Sequence, residues 1–263
     1  METITSRQNP VVRRFRAVAE NPASSIVLDG AHLLAEALAA SVPIELVAID
    51  ESAKTDVAAV TRRAEIAGAR VVRVPTKVLA AMTPVRQPSG IVAIARRQER
   101  SLADALAAAP QMVFMLDEVQ DPGNVGAIVR TAEACGATGV VAGHGTADPM
   151  GWKALRGSMG SIFRLPVAIR QSLPRAVDAA RAIGIEIFAA VPRGGILLPH
   201  CDLRRPVAVL LGGEGGGLPD SLVALATTRL TIPMRPPVES LNVATAAALI
   251  AYEAQRQRGG ASS

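Results

Sequence analysis

Five polar residues between positions 124 and 242 of this 263-residue chain lie among glycines and small apolar residues. Core packing does not require polar groups in such surroundings, whereas a segment whose backbone binds a ligand is typically composed in this way. A carboxylate, two amides, a hydroxyl and a guanidinium can together orient a substrate and stabilise charge that develops in a reaction. None of the five is His, Cys or Lys, so this role is favoured over ordinary general-base chemistry. The five residues are Asn124, Arg130, Glu214, Ser240 and Asn242.

The first segment runs from Asp121 to Arg130 and opens with the turn Asp121-Pro122-Gly123. Asn124 follows the turn, and for this residue alone a helix-capping role is the ordinary alternative. Arg130 is expected on the same helix, on a face shared with Ala127 and Ala134, where packing does not require a guanidinium. A functional Arg130 is therefore favoured over a solvated surface arginine.

The second segment is a glycine-rich stretch, 211–218, that follows a predicted strand at 207–211. Its glycines allow the backbone to approach a ligand closely or to adopt positive φ. The stretch is not a Walker loop, and it lacks Gly-x-Gly-x-x-Gly between a strand and a helix. A flexible surface loop is the alternative, but Glu214 is a lone carboxylate among glycines and has little structural purpose there.

The third segment begins with Ile232-Pro233-Met234 and continues into a helix predicted at about 241–258. Ser240 could simply cap that helix. Asn242 is expected in the first turn of a helix made otherwise of Ala, Leu and Ile, so its amide should have a specific partner.

In this order, the three segments resemble the signature motifs of the SpoU, or TrmH-type, branch of the SPOUT methyltransferases. Shorter stretches at 6–10, 28–33 and 87–93 are similar to parts of the small substrate-binding domain that these enzymes often carry. The resemblance implies methyl transfer from S-adenosylmethionine to a ribose 2′-hydroxyl of structured RNA. It favours 23S rRNA over tRNA, because the N-terminal domain is common among rRNA-modifying relatives. A tRNA enzyme and a non-catalytic RNA-binding protein remain alternatives.

The resemblance also implies roles for individual residues. Arg130 would act near the target ribose and its phosphate, and Asn124, Glu214, Ser240 and Asn242 would support it. At position 213 relatives commonly have Asn or Ser, and this chain has Gly. The methyl donor would be held by Leu211, Gly212, Gly213, Gly215, Ile232, Met234, Leu241 and Val243.

The alternation of predicted strands and helices indicates two α/β domains, of which the second has buried parallel strands. We expect an RNA substrate-binding domain at 1–97, a linker at 98–110 and a methyltransferase domain at 111–263. The resemblance adds that the first domain is ribosomal-protein-like, that the second is tied in a deep trefoil knot, and that the protein is a homodimer. A Rossmann-type nucleotide enzyme is disfavoured, because its glycine loop would follow the first strand of the fold.

Charge favours a polyanionic partner, since 28 Lys and Arg residues exceed 23 Asp and Glu residues. The two cysteines and three histidines lack the spacing of a disulfide framework or a metal site, so neither is expected. No apolar stretch is long enough to span a bilayer, and no signal peptide is present, so a cytoplasmic location is expected. The candidate RNA-binding residues, for which a solvated charged face is the alternative, are Arg7, Arg13, Arg14, Lys153 and Arg156.

Overall fold

The protein forms two compact units in the computed structural model, which describes residues 1–53, 55–85, 87–109 and 111–259. The first unit comprises Met1–Gln98 and Met150–Arg164, and the second comprises Glu99–Pro149 and Leu165–Ser263. Each unit contains one sheet with helices packed on it. The mixed α/β architecture predicted from the sequence is confirmed.

The first unit contains a five-stranded mixed sheet with the order β1-β4-β3-β5-β2. Strand β5 is antiparallel to both of its neighbours, β2 and β3, whereas β4 is parallel to β1 and β3. The elements are β1 (Glu2–Thr3), α1 (Pro10–Glu20), β2 (Ser25–Asp29), α2 (Ala31–Ala39), β3 (Ile44–Asp50), α3 (Thr55–Ile66), β4 (Arg70–Val74), α4 (Thr76–Leu79) and β5 (Ile91–Arg96).

The second unit contains a seven-stranded sheet with the order β10-β12-β9-β11-β6-β7-β8, in which every pairing is parallel. Its central strands are almost entirely apolar, because helices cover both faces of such a sheet. The elements are α5 (Leu102–Ala107), β6 (Met112–Asp117), α6 (Pro122–Ala134), β7 (Gly139–Gly143), β8 (Val167–Gln171), α8 (Leu173–Ala182), β9 (Glu186–Ala190), β10 (Ile196–Leu197), β11 (Val207–Gly212), α9 (Asp220–Val223), β12 (Thr228–Thr231) and α10 (Val243–Gln257). The trefoil knot stays a prediction from the resemblance.

The segment 98–110, which we predicted to be a linker, contains helix α5, and this helix belongs to the second unit. Ser101 and Asp104 form a reciprocal capping box at its start. The helix packs so closely on β7 that a Cβ at Gly139 would lie 2.9 Å from the Ala105 carbonyl carbon. The Ala-rich composition of this segment therefore reflects a tightly packed helix.

Helix α7 (Trp152–Ser158) belongs to the first unit, although the chain on both sides of it belongs to the second. The segment that contains it is joined to α2 by an Arg164–Glu36 ion pair and by a 3.2 Å hydrogen bond between His32 Nε2 and the Met159 carbonyl. The sequence contained no sign of this association, because each contact joins residues more than a hundred positions apart.

The end of α10 is held by the side chain of Arg258, which reaches the segments before β6 and β11. Arg258 donates to the carbonyls of Leu203 (2.8 Å), Arg205 (2.7 Å) and Gln111 (3.0 Å). Burial lowers the pKa of Arg258 from its usual value. Hydrogen bonds to main-chain carbonyls thus replace the hydrogen bonds to water that this guanidinium loses on burial.

Replacing Arg258 with methionine should lower the free energy of unfolding by about 2 kcal/mol, since hydrogen bonds to charged groups are lost and carbonyls are left unpaired. Urea unfolding followed by circular dichroism measures the change. The neighbouring Arg256→Met variant is the control, because the exposed Arg256 side chain bonds, among the described residues, only to Glu253. Equal stability of the two variants would contradict this role for Arg258.

Among the described residues, no helix combines the length and apolar character needed to cross a bilayer.

Candidate active site at the carboxyl edge of the parallel sheet

The first two motifs meet because β6 and β11 are hydrogen-bonded neighbours in the sheet. Leu211 pairs with Leu116, and Gly212 pairs with Asp117, at the carboxyl ends of the two strands. In open parallel sheets this edge is the usual place for a ligand. Burial raises the pKa of Asp117, and the neighbouring charge of Glu118 raises it further.

Helix α6 begins at Pro122 and is capped by Asp121, whose side chain accepts hydrogen bonds from the backbone nitrogens of Gly123 (2.6 Å) and Asn124 (3.1 Å). The capping alternative for Asn124 is therefore wrong. Because Asp121 satisfies these backbone donors, the Asn124 side chain is left to make a tertiary contact.

One residue from each motif contributes to a polar cluster, which we call the amide–carboxylate cluster: Asn124, Glu214 and Asn242. The Asn124 side-chain amide donates to Glu214 Oε1. Asn242 Nδ2 lies 3.1 Å from Asn124 Oδ1 and 3.5 Å from Glu214 Oε1. The specific partner expected for the Asn242 amide is thus present, in a contact across 118 residues of the chain.

Asn242 also caps α10, because its Oδ1 accepts from the backbone nitrogens of Ala244 (2.9 Å) and Thr245 (3.2 Å). The capping role considered for Ser240 is therefore wrong, and Asn242 lies at the cap rather than in the first turn. The helix begins two residues later than expected. One side chain both starts the helix and points its amide into the cluster.

A cavity of about 810 Å³ opens beside the cluster. Its size is that of a pocket for a nucleoside-sized ligand. Leu211, Ile232 and Leu241 supply apolar surface, and Glu214, Ser240 and Asn242 also line it. All eight residues predicted to hold the methyl donor line this one cavity: Leu211, Gly212, Gly213, Gly215, Ile232, Met234, Leu241 and Val243.

The glycine-rich loop turns sharply at the cavity wall. Gly215 and Gly217 have φ values of 102° and 63°, which side chains disfavour. Gly213 and Gly217 form an isolated antiparallel bridge that closes the turn. The apolar walls, bare backbone and carboxylates of this cavity fit an adenosyl group that carries a positively charged sulfonium.

The sequence missed several charged residues that line the same cavity: Arg193, Asp220 and Arg229. They lie outside the three motifs, in segments without unusual composition, so only the fold reveals them. Arg193 forms an ion pair with Glu239 at 3.6 Å, and both side chains are highly exposed.

Arg130 lies on α6 but apart from the amide–carboxylate cluster. It is six positions after Asn124, so it lies about 9 Å farther along the helix and about 120° around its axis. Its side chain is exposed, and in the part of the chain that the structure describes it has no hydrogen bond or ion pair. This guanidinium is thus available to a ligand outside the chain.

All the candidate RNA-binding residues lie in the first unit, and all are exposed. Arg14 is ion-paired with Glu45, and Arg7 donates to the Lys77 carbonyl at 3.1 Å. The Arg13 side chain has no protein partner among the described residues. On α7, the Lys153 ammonium lies 5.5 Å from the centre of the Trp152 ring. Arg156 is exposed on the same helix.

Over the described ranges, no three His, Cys, Asp or Glu side chains are grouped so that they could hold a metal ion. Cys135 and Cys201 are free thiols. Burial raises the pKa of both thiols.

Residues 111–252 match the family model described as the SpoU rRNA Methylase family. The chain belongs to this family. Membership makes the protein an RNA ribose methyltransferase whose methyl donor is S-adenosylmethionine, and the cavity beside the cluster fits that donor.

Two relatives and one solved structure illustrate the similarity of this SpoU protein to others. An uncharacterized tRNA/rRNA methyltransferase of Synechocystis is 34% identical over 264 residues, covering 99% of this chain and 96% of the relative. The 23S rRNA (guanosine(2553)-2′-O)-methyltransferase RlmP of Bacillus subtilis is 36% identical over 121 residues, 46% of this chain and 48% of that protein. The AdoMet-bound rRNA methyltransferase structure from Sinorhizobium meliloti has a TM-score of 0.86, with 30% identity and 97% of each chain covered.

Proposed function

We propose that this SpoU enzyme methylates a ribose 2′-hydroxyl of 23S rRNA. The observation that carries the proposal is the amide–carboxylate cluster, in which residues from all three motifs contact one another. The cluster lies beside the cavity of about 810 Å³ that fits the methyl donor, which we call the donor cavity. In this transfer the hydroxyl oxygen forms a bond to the methyl carbon, the carbon–sulfur bond breaks with its electron pair going to sulfur, and the hydroxyl proton passes to solvent water. S-adenosylmethionine supplies the activated methyl group.

A ribose hydroxyl is a poor nucleophile at neutral pH, so the enzyme must align it and assist loss of its proton. The cluster supplies the alignment, because Asn124, Glu214 and Asn242 hold one another in a single arrangement. Ser240 lines the same cavity, and its hydroxyl has no partner among the described residues. It therefore can donate to the incoming nucleotide.

Arg130 would bind the target phosphate and stabilise charge that develops on the ribose oxygen. Its free, exposed guanidinium supports this role. A literal general-base role is disfavoured, because arginine stays protonated at any accessible pH. A non-catalytic RNA-binding protein would have no need of the five polar residues together, which weighs against that alternative.

The choice of 23S rRNA rests on two points of similarity. RlmP acts on 23S rRNA, and the likeness to the rRNA methyltransferase from Sinorhizobium meliloti extends over both units. The alternative is a tRNA substrate, which the tRNA/rRNA description of the Synechocystis relative leaves open.

Transfer of labelled methyl from S-adenosylmethionine to bulk rRNA and, separately, to tRNA tests the proposal. We expect label in 23S rRNA, at one nucleotide in a map of 2′-O-methyl positions. Label confined to tRNA would overturn the substrate assignment. Absence of label in naked RNA and in ribosomal subunits, with donor binding intact, would favour the non-catalytic alternative.

Residues 1–97 would bind the RNA and residues 111–263 would carry out the transfer. Arg13 is the strongest phosphate-binding candidate on α1, because Arg14 is paired with Glu45. Arg13→Ala should reduce the slope of log affinity against log salt concentration by about 1. Filter binding of rRNA at several salt concentrations measures this slope. Arg14→Ala is the matched comparison on the same helix. An equal or larger change of the slope in that variant would contradict the choice of Arg13 as the stronger phosphate-binding candidate.

A homodimer with the site near the subunit interface, and a cytoplasmic location, complete the proposal. Leu249 and Tyr252 on α10 are 41% and 62% exposed, and such apolar side chains on one helix are suited to a subunit contact. Sedimentation velocity of the full chain distinguishes a dimer from a monomer.

A further inference from the structure

Gly213 lies against the backbone at the end of β6 without room for a side chain. A Cβ on Gly213 would lie 2.6 Å from the carbonyl carbon of Glu118, closer still to its oxygen, and 3.2 Å from Val119 N. Backbone atoms cannot give way as the end of a flexible side chain can. The first and second motif loops are therefore in direct backbone contact at this glycine.

Glu118 reaches Gly213 by adopting a left-handed conformation, with φ of 49°. Residues with a side chain disfavour this conformation, which persists only where surrounding structure holds it. The Glu118 side chain packs near Gly145, where a Cβ would lie 3.0 Å from Glu118 Cγ. The carbonyl that meets Gly213 is thus held from its other side.

The glycine-rich loop cannot move away from Glu118 either. A Cβ on Gly212 would lie within 2.5 Å of the Gly217 carbonyl oxygen, so the returning half of the loop packs directly on its first half. The Gly213–Gly217 bridge joins the two halves, with Gly217 N donating to the Gly213 carbonyl at 3.3 Å. Glu214 follows immediately, and its carboxylate accepts from the Asn124 amide.

We propose that Gly213 is a positioning residue, whose bare α-carbon against the Glu118 carbonyl sets the Glu214 carboxylate on the Asn124 amide. The expected change in kcat rests on the proposed methyl transfer. The expected shift of the Asn124 amide resonances does not depend on activity.

The test compares Gly213→Ala with Glu118→Gly and with the double variant. In Gly213→Ala the added methyl should displace Glu214, so the side-chain amide resonances of Asn124 shift in a nitrogen-15 correlation spectrum and kcat falls about tenfold or more. The Glu118→Gly substitution keeps the carbonyl and makes left-handed backbone easy, so this variant should keep the Asn124 resonances and kcat. In the double variant the glycine that replaces Glu118 lets the peptide group after position 118 rotate away from the added methyl. The Asn124 resonances and kcat should therefore return toward the parent values.

An Asn124 resonance that is unchanged in folded Gly213→Ala overturns the proposal, whatever happens to turnover. So does a kcat loss that Glu118→Gly does not relieve. If Gly213→Ala does not fold, the Glu118→Val variant replaces it. A β-branched residue strongly disfavours left-handed backbone, so this substitution should displace the carbonyl of residue 118 from Gly213 and shift the Asn124 resonances. An unshifted Asn124 amide in that variant overturns the proposal. Because the amide spectrum needs no RNA, failure of the proposed function would be seen separately, as absence of transfer by the parent protein.

Discussion

Replacing Arg130 with alanine should lower the rate of methyl transfer by at least about a hundredfold while leaving the affinity for S-adenosylmethionine nearly unchanged. The two effects separate because Arg130 is exposed on α6 and does not line the donor cavity. Its loss removes charge stabilisation at the RNA, not contacts to the donor. Single-turnover transfer with saturating RNA measures the rate, and titration calorimetry measures donor binding.

Arg130→Lys is the informative control, since it keeps the positive charge and loses the planar, bidentate guanidinium. Partial recovery of the rate would indicate a mainly electrostatic role, and no recovery would indicate geometric recognition of phosphate. Unimpaired transfer by Arg130→Ala would remove this residue from the mechanism.

Asn242 should show two separable effects, because its side chain both caps α10 and joins the amide–carboxylate cluster. Asn242→Ala should lose about 1 kcal/mol of stability together with most of the activity. Asn242→Ser should keep the stability, since Ser is as good a cap, yet lose activity to a similar extent because it has no amide for Asn124 and Glu214.

Thermal or urea unfolding measures the first effect of the Asn242 variants, and methyl transfer under saturating substrate measures the second. Ser240→Ala provides a neighbouring comparison, because Ser240 lines the cavity without capping the helix. Full activity of Asn242→Ser would show that Asn242 contributes only its cap.

Local sequence patterns located most elements of the fold to within a few residues. Strand β11 extends one residue beyond the predicted end at 211, and helix α10 begins two residues after the predicted start and ends one residue before the predicted end at 258. The short edge strands β1 and β10 escaped prediction, because two residues carry no periodicity. Helix α5 was missed because its short Ala-rich run has the composition of a linker as well as of a helix.

The caps show where local reasoning fails. Asp121, Asn124, Ser240 and Asn242 all have side chains that can cap a helix, and local preferences hardly separate them. Asp121 and Asn242 cap α6 and α10, respectively, whereas Asn124 and Ser240 have no capping role. Which of these side chains caps a helix depends on which of them make tertiary contacts instead, and those contacts join residues distant in the chain.

By itself, the sequence determined the alternation of strands and helices, the chemistry available in the three motifs, and the family to which they belong. Only the tertiary structure decided that Asn124, Glu214 and Asn242 form one cluster, that Arg130 stays outside it, and that α7 belongs to the first unit. The physical reason is that side-chain patterns report burial along one element, whereas the order of strands in a sheet depends on pairings between distant segments. The adjacency of β6 and β11, nearly a hundred residues apart in the chain, is one such pairing.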